Sequence, residues 1–307
     1  MNRGGALVLI AAATLGLSSG CASIPQGPGF QQVQDAVRER SGLTVHWDQQ
    51  APPKPSPEEV VQALLQKELT AESAVEVALL NNRRLQATFE ELEITRTELV
   101  QAALPRNPIF GGELRFPGSP SRPLEISLTQ SLLDLVQLGV RRRLAAAAFE
   151  PAKLRTADAV LDLVAEVRSA FYSLQAAEQV KAMRQTVVDA ARAAAELAIR
   201  QREAGNISDL DLENEQALLE QAKLDLAQSE SDAFAKQERF NVLLGLWGPQ
   251  TTWRIAPSLP ALPGAEPDLE RVETHAVSQR LDLMAARQDI EAAARALPLA
   301  RTEGISD

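Results

Sequence analysis

The stretch A-L-L-N-N-R-R-L-Q-A-T-F-E-E-L-E at residues 78–93 returns at residues 276–291 as A-V-S-Q-R-L-D-L-M-A-A-R-Q-D-I-E. A shift of 198 sets Ala276 on Ala78, Gln279 on Asn81, Leu283 on Leu85, Asp289 on Glu91, Ile290 on Leu92 and Glu291 on Glu93. A period of this kind marks two copies of one helical unit, which need neighbours to bury their apolar faces. The first copy runs on through a strand-like pair and two long helices. The second opens in the same way, and the sequence reaches Asp307 soon after its first helix. The expectation is that residues 1–307 are a truncated product or a fragment of a two-repeat protein.

The apolar positions Val75, Leu79, Leu85, Phe89, Leu92 and Leu99 follow a helix face that opens near Thr70. Residues 104–108, L-P-R-N-P, end it, because proline removes a helical donor and restricts the residue before it. The period then changes. Leu124, Ile126 and Leu128 alternate with Glu125, Ser127 and Thr129, a two-residue period with one apolar face. Residues 109–116 form a weaker partner, so a strand pair is expected over about 109–133. Each segment is near the 9–11 residues that a membrane-crossing strand requires. Alternation alone leaves open whether the pair meets lipid or packs as a soluble hairpin.

From about Leu135 to Leu246 the chain reads as helix, with a kink or restart at Pro151. Ala176, Val180, Met183, Val187, Ala190, Ala194 and Leu197 step by 4 and 3, the spacing of a coiled-coil seam. Leu219, Ala222, Leu226, Ser229, Ala233, Lys236, Phe240 and Leu243 make the seam of a returning helix. Between them, Gly205 suits a left-handed helix end, and Ser208 with Asp211 resembles a capping box. The two arms form an antiparallel hairpin. The arm from Ala176 to the tip spans roughly 43 Å at 1.5 Å per residue.

The first 20 residues read as an export signal: basic Asn2-Arg3, then an apolar run over residues 6–17, too short to span a bilayer as a mature helix. L-S-S-G-C at residues 17–21 resembles a lipoprotein cleavage box, which makes Cys21 the expected lipidation site. Cys21 is the single cysteine, so no internal disulfide accounts for it. Residues 21–68 are expected to be a lipid-anchored extended segment, with a proline-rich spacer at 51–57. The first repeat occupies 69–248, a proline-rich linker 249–268, and the incomplete second repeat 269–307.

Composition narrows the function. Net charge is −10, with 31 basic and 41 acidic side chains, so nothing neutralises phosphates and nucleic acid is excluded as a partner. Aromatics are 4%, which suits long, closely packed helices better than an enzyme core. The two histidines, His46 and His275, lie far apart and outside metal-ligand spacing. No phosphate loop, nucleophile elbow or zinc-protease motif occurs. The reading is of a protein that is not an enzyme, with no catalytic residue, no metal and no cofactor beyond a covalent lipid.

Taken in order, these segments resemble the TolC-like outer-membrane efflux protein family, in its lipoprotein branch. Residues 69–85, L-T-A-E-S-A-V-E-V-A-L-L-N-N-R-R-L, are similar to the family's opening helix, with Arg83-Arg84 in place of the usual proline region. Residues 104–108 are similar to the turn before its first strand, and 128–134, L-T-Q-S-L-L-D, to the close of its second. Phe171-Tyr172 fits the aromatic pair of the long helix, 204–211 the tip, and 241–245, N-V-L-L-G, the end of the return helix. The resemblance implies a mainly α fold: long antiparallel coiled-coil hairpins of the periplasmic α-barrel type, one strand pair for a transmembrane β-barrel, and a homotrimer. It implies a passive duct in the outer membrane joined to a periplasmic adaptor and an inner-membrane pump. Arg202, Ala204, Gly205, Asn206, Leu210 and Asp211 would be the adaptor-contact tip, and Leu124, Ile126 and Leu128 the membrane strand. The chain departs from the family in offering two strands where the family offers four. A lipid-anchored coiled-coil structural or adaptor protein, and a non-conducting channel fragment, stand as the other readings.

Overall fold

The computed structural model describes residues 28–49, 55–105, 107–114, 124–130, 132–262, 264 and 270–303. Cys21 and the export signal lie outside these residues. The described elements are α1 (Pro28–Ser41), α2 (Pro57–Leu65), β1 (Glu68–Leu69), α3 (Ala71–Asn81), α4 (Arg83–Ala102), β2 (Ile109–Leu114), β3 (Leu124–Thr129), α5 (Leu132–Glu203), α6 (Asp209–Leu244), β4 (Arg254–Ile255), α7 (Val272–Gln279) and α8 (Leu281–Glu303). α5 is the spine of 72 residues, about 108 Å at 1.5 Å per residue. α1, α3, α4, α6 and α8 all pack against it.

The repeat seen in the sequence is a repeat in the backbone. α3 and α4 are separated by Asn82 alone, in extended conformation (φ −72°, ψ 111°). α7 and α8 are separated by Arg280 alone (φ −66°, ψ 118°), which is Asn82 shifted by 198. The helix expected to run on from Thr70 is therefore two helices. Thr70 caps α3 with Ser73, and Asn82 caps α4 by accepting the Leu85 N–H at 3.0 Å. A side-chain acceptor at this position satisfies a donor that the helix start would leave bare.

The segment expected to be extended, 21–68, is corrected. Its described part holds α1 and α2. Phe30, Val33 and Val37 of α1 follow 3- and 4-residue steps and are buried in the main core beside Phe89 and Phe149. Burial of that stripe, rather than local propensity, makes α1 a helix. α1 runs parallel to α5: Gly29 abuts the Phe149 ring, and the Lys153 ammonium donates to Gln32. α2 has a full capping box at Ser56 and Glu59. The described part of the linker 249–268 also holds regular structure. Its β4 pairs in parallel with β1, and Trp253 packs edge-on to Phe240 at 5.4 Å while donating to Asn241 Oδ1 at 2.9 Å.

Pro151 neither ends nor restarts the helix; α5 passes through it. The Pro151 turn is buried, and its neighbours are held on two sides. Lys153 is bonded to α1 and Arg155 is paired with Asp289 of α8. Lateral contacts compensate for the missing donor.

The returning seam on α6 is as expected, with Ala222, Ala233 and Phe240 buried and Leu219, Leu226, Ser229, Lys236 and Leu243 part-buried. The seam on α5 is one residue further on than expected. Leu174, Ala177, Lys181, Arg184, Val188, Ala191, Ala195 and Ala198 form the heptad-spaced buried or part-buried row. Arg184 crosses it to reach Asp225 of α6 at 3.1 Å. The row of larger residues is exposed, with Met183 at 53% and Leu197 at 55%. Small side chains face the partner helix, so the two arms lie close together.

One junction ties the repeat to the hairpin. Asn81 Nδ2 donates to the carbonyls of Leu244 (3.2 Å) and Gly245 (2.7 Å), and Asn82 Nδ2 donates to that of Leu243 (2.8 Å). These are the last carbonyls of α6, which have no partner within the helix. Gly245 ends α6 with φ +68°, and a Cβ there would stand 2.4 Å from the Asn81 carbonyl oxygen.

Asn82→Ala removes a helix cap and strands a carbonyl, and is expected to cost about 2 kcal/mol. Gly245→Ala adds both left-handed strain and a backbone clash, and is expected to cost about 3 kcal/mol or more. Chemical denaturation in detergent measures both. Equal, sub-kilocalorie effects would contradict the junction's role.

Candidate functional site

Two places on the molecule carry the features expected to have a function, the strand pair and the far end of the hairpin, and the exposed row on α5 is a third surface of note. The strand pair is antiparallel, with Ile109 opposite Thr129, Phe110 opposite Leu128, Gly111 opposite Ser127, Gly112 opposite Ile126, Glu113 opposite Glu125 and Leu114 opposite Leu124. Because side chains alternate between faces, this register decides which of them share a face. Phe110 and Gly112 share one face with Leu128 and Ile126, and the side chain of Leu124 lies outside the described residues. Ile109, Gly111 and Glu113 share the other with Thr129, Ser127 and Glu125. Every described apolar side chain of the first face is solvent-facing, and Ile126 is 75% exposed. A one-residue slip would move this whole set to the opposite side. Gly111 leaves room for the Ser127 hydroxyl, which a Cβ there would meet at 2.5 Å. No helix among the described residues is long and apolar enough to cross a membrane, which says nothing of a β-barrel.

The hairpin end is built from local rules. Gly205 takes φ +76°, and the Asn206 N–H reaches back to the Gln201 carbonyl at 2.8 Å while the Gly205 N–H reaches Arg202 at 2.9 Å. This closes α5 with the bonds of a glycine-terminated helix. α6 opens on a full capping box, in which Ser208 Oγ accepts from Asp211 N–H and the Asp211 carboxylate accepts from Ser208 N–H. Arg202 forks onto both oxygens of Asp209 across the turn, with Nη2 to Oδ2 at 2.9 Å. That hydrogen bond and charge hold the Asp209 carboxyl below the usual carboxylate range. The Ser208 bonds lower Asp211 in the same way. The Leu210 side chain projects outward, 70% exposed. So Arg202, Ala204, Gly205, Asn206, Leu210 and Asp211 do lie together at one extremity, as a rigid turn carrying one bare apolar side chain.

The second repeat uses its equivalent positions differently. Arg280 pairs with Asp282, drawing that carboxyl down to about 2. Asp158 of α5 faces Asp162 and Asp282, and partial burial with these neighbours raises its carboxyl above the ordinary value. Val272, Val277, Ile290 and Leu297 are exposed on α7 and α8, whereas their counterparts Ala74, Leu79, Leu92 and Leu99 in the first repeat are buried or packed on the core.

Sequence reasoning had singled out the strand and tip residues but gave no role to Asn81, Asn82 and Gly245. The signal was present: an Asn-Asn pair inside a helical pattern, and a glycine just past a second one. The exposed row of Val180, Met183, Val187 and Leu197 was read from the sequence as the internal seam. Among the described residues no cluster of three or more His, Cys, Asp or Glu could hold a metal. A cleft of about 720 Å3 between α5 and α8 is lined by Val140, Leu144, Ala147 and Glu150 with Arg143 and Arg295, and brings no nucleophile and base together.

The fold has solved counterparts. The outer-membrane channel CmeC of Campylobacter jejuni matches with TM-score 0.62 at 16% identity, over 76% of this chain and 53% of that one. CusC matches with TM-score 0.60 at 17% identity, over 77% and 57%. A membrane protein from Pseudomonas aeruginosa matches with TM-score 0.58 at 22% identity, over 75% and 57%. The chain thus spans a little over half the length of these structures. No curated protein matches it in sequence. The family model for the outer membrane efflux protein matches residues 74–246, which run from inside α3 to just past the Gly245 cap, and the chain belongs to that family.

Proposed function

We propose that this chain is a subunit of an outer-membrane efflux duct, in which β2 and β3 join a lipid-facing barrel and α5–α6 form the wall of a periplasmic tube. The observation that carries this is the strand register, which gathers Phe110, Ile126 and Leu128 on one exposed face and sets Ser127, Thr129, Glu113 and Glu125, with Ile109, on the other. A soluble hairpin would bury such a face; a barrel wall turns it to lipid. Three copies of the pair amount to six strands, fewer than the eight of the smallest bacterial barrels. Open edges in hydrocarbon cost several kcal/mol for each bare backbone group, so a closed barrel needs strands beyond β2 and β3.

The subunits associate as a trimer. The exposed row on α5 (Val180, Met183, Val187 and Leu197) supports this, since a heptad-spaced apolar row on a helix is built to meet another helix. The duct conducts passively: solutes delivered by an inner-membrane pump and a periplasmic adaptor move through a polar lumen, and no chemical step is required. The rigid tip with bare Leu210 supports an adaptor contact at that end. Cys21 carries a lipid that holds the chain at the outer membrane.

Detergent-extracted protein should run as a trimer by native mass spectrometry, and Val187→Asp should yield folded monomer, because Val187 lies outside the internal seam. A Val187→Asp protein that stays trimeric would sink the interface assignment; a wild-type monomer that is soluble without detergent would favour a structural coiled-coil protein. At the tip, Leu210→Glu should weaken adaptor capture at least tenfold without altering the trimer. The tip pairs set a pH window: Asp209 and Asp211 are lowered in the fold, so their stabilisation is complete above the unfolded carboxylate value near 4 and lost as pH falls through the folded values. Ser208→Ala should remove the cap at neutral pH and speed amide exchange in the first turn of α6 about fivefold. Unchanged exchange would show the tip is held by something else.

A further inference from the structure

We propose that the cavity between α2 and β4 is a carbohydrate subsite, shaped for a sugar ring that bears an acetamido group. This site does not depend on the duct: neither the strand pair nor the hairpin tip forms any of it.

The cavity holds about 360 Å3, and its walls come from segments far apart in the sequence. Gln62 and Leu65 of α2, with Gln66 at its C-terminal cap, form one side. Gln250, Trp253 and Arg254 form the other. The parallel pairing of Glu68 with Arg254 and of Leu69 with Ile255 brings the two sides together. Gln62 and Gln66 stand four positions apart and so share a face of the helix.

Three observations point to a ligand. Gln250 Oε1 is shut off from solvent and has no donor. Buried oxygens are nearly always paired, so this one calls for a partner from outside the chain. Among the described residues, the side chains of Gln62, Gln66 and Arg254 also make no hydrogen bond or ion pair. Trp253 is held rigid from behind: its Nε1–H donates to Asn241 Oδ1 at 2.9 Å, and Phe240 packs edge-on at 5.4 Å. The remaining surface of the indole lines the cavity.

A pyranose ring has apolar C–H faces and a rim of hydroxyls, which matches a flat indole edged by amides. A glutamine amide both donates and accepts, so it pairs with hydroxyls or with another amide. An acetamido group offers its N–H to Gln250 Oε1 and its methyl to Leu65. Arg254 is the single charge among the described lining residues, too few for a polyanion. An added peptide strand fits less well, because β4 is two residues long and already pairs with β1. Gln175 Nε2 donates to the Ala256 carbonyl at 3.1 Å, which sets β4 beside a point 43 residues along α5 from Leu132, or about 65 Å. With the strand pair in the membrane, the sugar comes from a wall-borne or soluble glycan chain rather than from a lipid headgroup.

The test is calorimetric titration of the full chain in detergent with tetra-N-acetylchitotetraose. Saturable binding in the millimolar range or tighter is expected. Cellotetraose, with hydroxyls in place of the acetamido groups, is expected to bind about tenfold more weakly. Gln250→Leu removes an acceptor that has no partner, so the thermal midpoint stays level or rises while affinity falls about tenfold. Gln66→Ala, on the exposed rim, is expected to weaken binding about threefold with the fold untouched. Retention on purified cell-wall sacculi, released by the tetrasaccharide, supports a wall-borne source; tetrasaccharide binding without retention supports a soluble one. No saturable binding by the wild type overturns the subsite. Unchanged affinity in both variants overturns its placement, and equal binding of cellotetraose overturns the acetamido assignment.

Discussion

The structure depends on two adjacent asparagines. A helix of 36 residues returning along a spine twice its length leaves its final carbonyls pointing at nothing. Asn81 and Asn82 fill that gap, and can do so only because α3 and α4 part at Asn82, which frees one side chain to cap forward and reach sideways at once. Gly245 lets the chain leave in the left-handed sense while lying against the Asn81 carbonyl. Four events coincide here: the end of one helix, the break in another, the closure of the α5–α6 hairpin, and the entry to the aromatic cluster of Phe171, Phe240 and Trp253. The register of everything beyond is set from this point, because the hairpin arms are long and their seam, rich in alanine, slides easily without a fixed end.

Much of the fold was legible from local rules. The capping box at Ser208 and Asp211, the glycine at 205 and the alternation over 124–129 each state a backbone geometry in three to six residues, and each is found in the structure. The 198-residue repeat also held, down to single extended residues at equivalent positions. What was not legible depended on choosing between neighbouring faces. On α5 two heptad rows lie side by side, and the row with larger apolar residues, Val180, Met183 and Val187, looks like the better core. Close packing favours the other, where Ala177, Val188 and Ala195 permit near contact and the stems of Lys181 and Arg184 complete the row. α1 was missed for a related reason. Its three core residues are separated by polar ones, and only contact with Phe89 and Phe149 makes them a stripe. Of the proposed site residues, the sequence brought the tip together correctly in space; the role of those residues is a matter of partners, which no single chain displays.

The two repeats also show how a shared plan diverges. At the position of Asn82 the second copy has Arg280, which turns to the adjacent Asp282 instead of reaching across. The first copy has α5 and α6 against the equivalent surface, seated through Asn81 and Asn82.

The proline in the spine has a mechanical meaning. A helix of some 108 Å is a slender beam, and a residue that cannot donate its hydrogen bond is its most compliant turn. Pro151 sits where α1 and α8 grip the beam from two sides through Lys153 and Arg155. A lateral load on the distal hairpin would act through a long lever arm on this clamped section, and yielding would be spread over three elements. The free arms beyond it, joined by a shallow seam of small side chains, can flex together without disturbing the strand pair. The tip end can thus be moved by whatever meets it while the membrane end stays still, with compliance and support placed at the same turn.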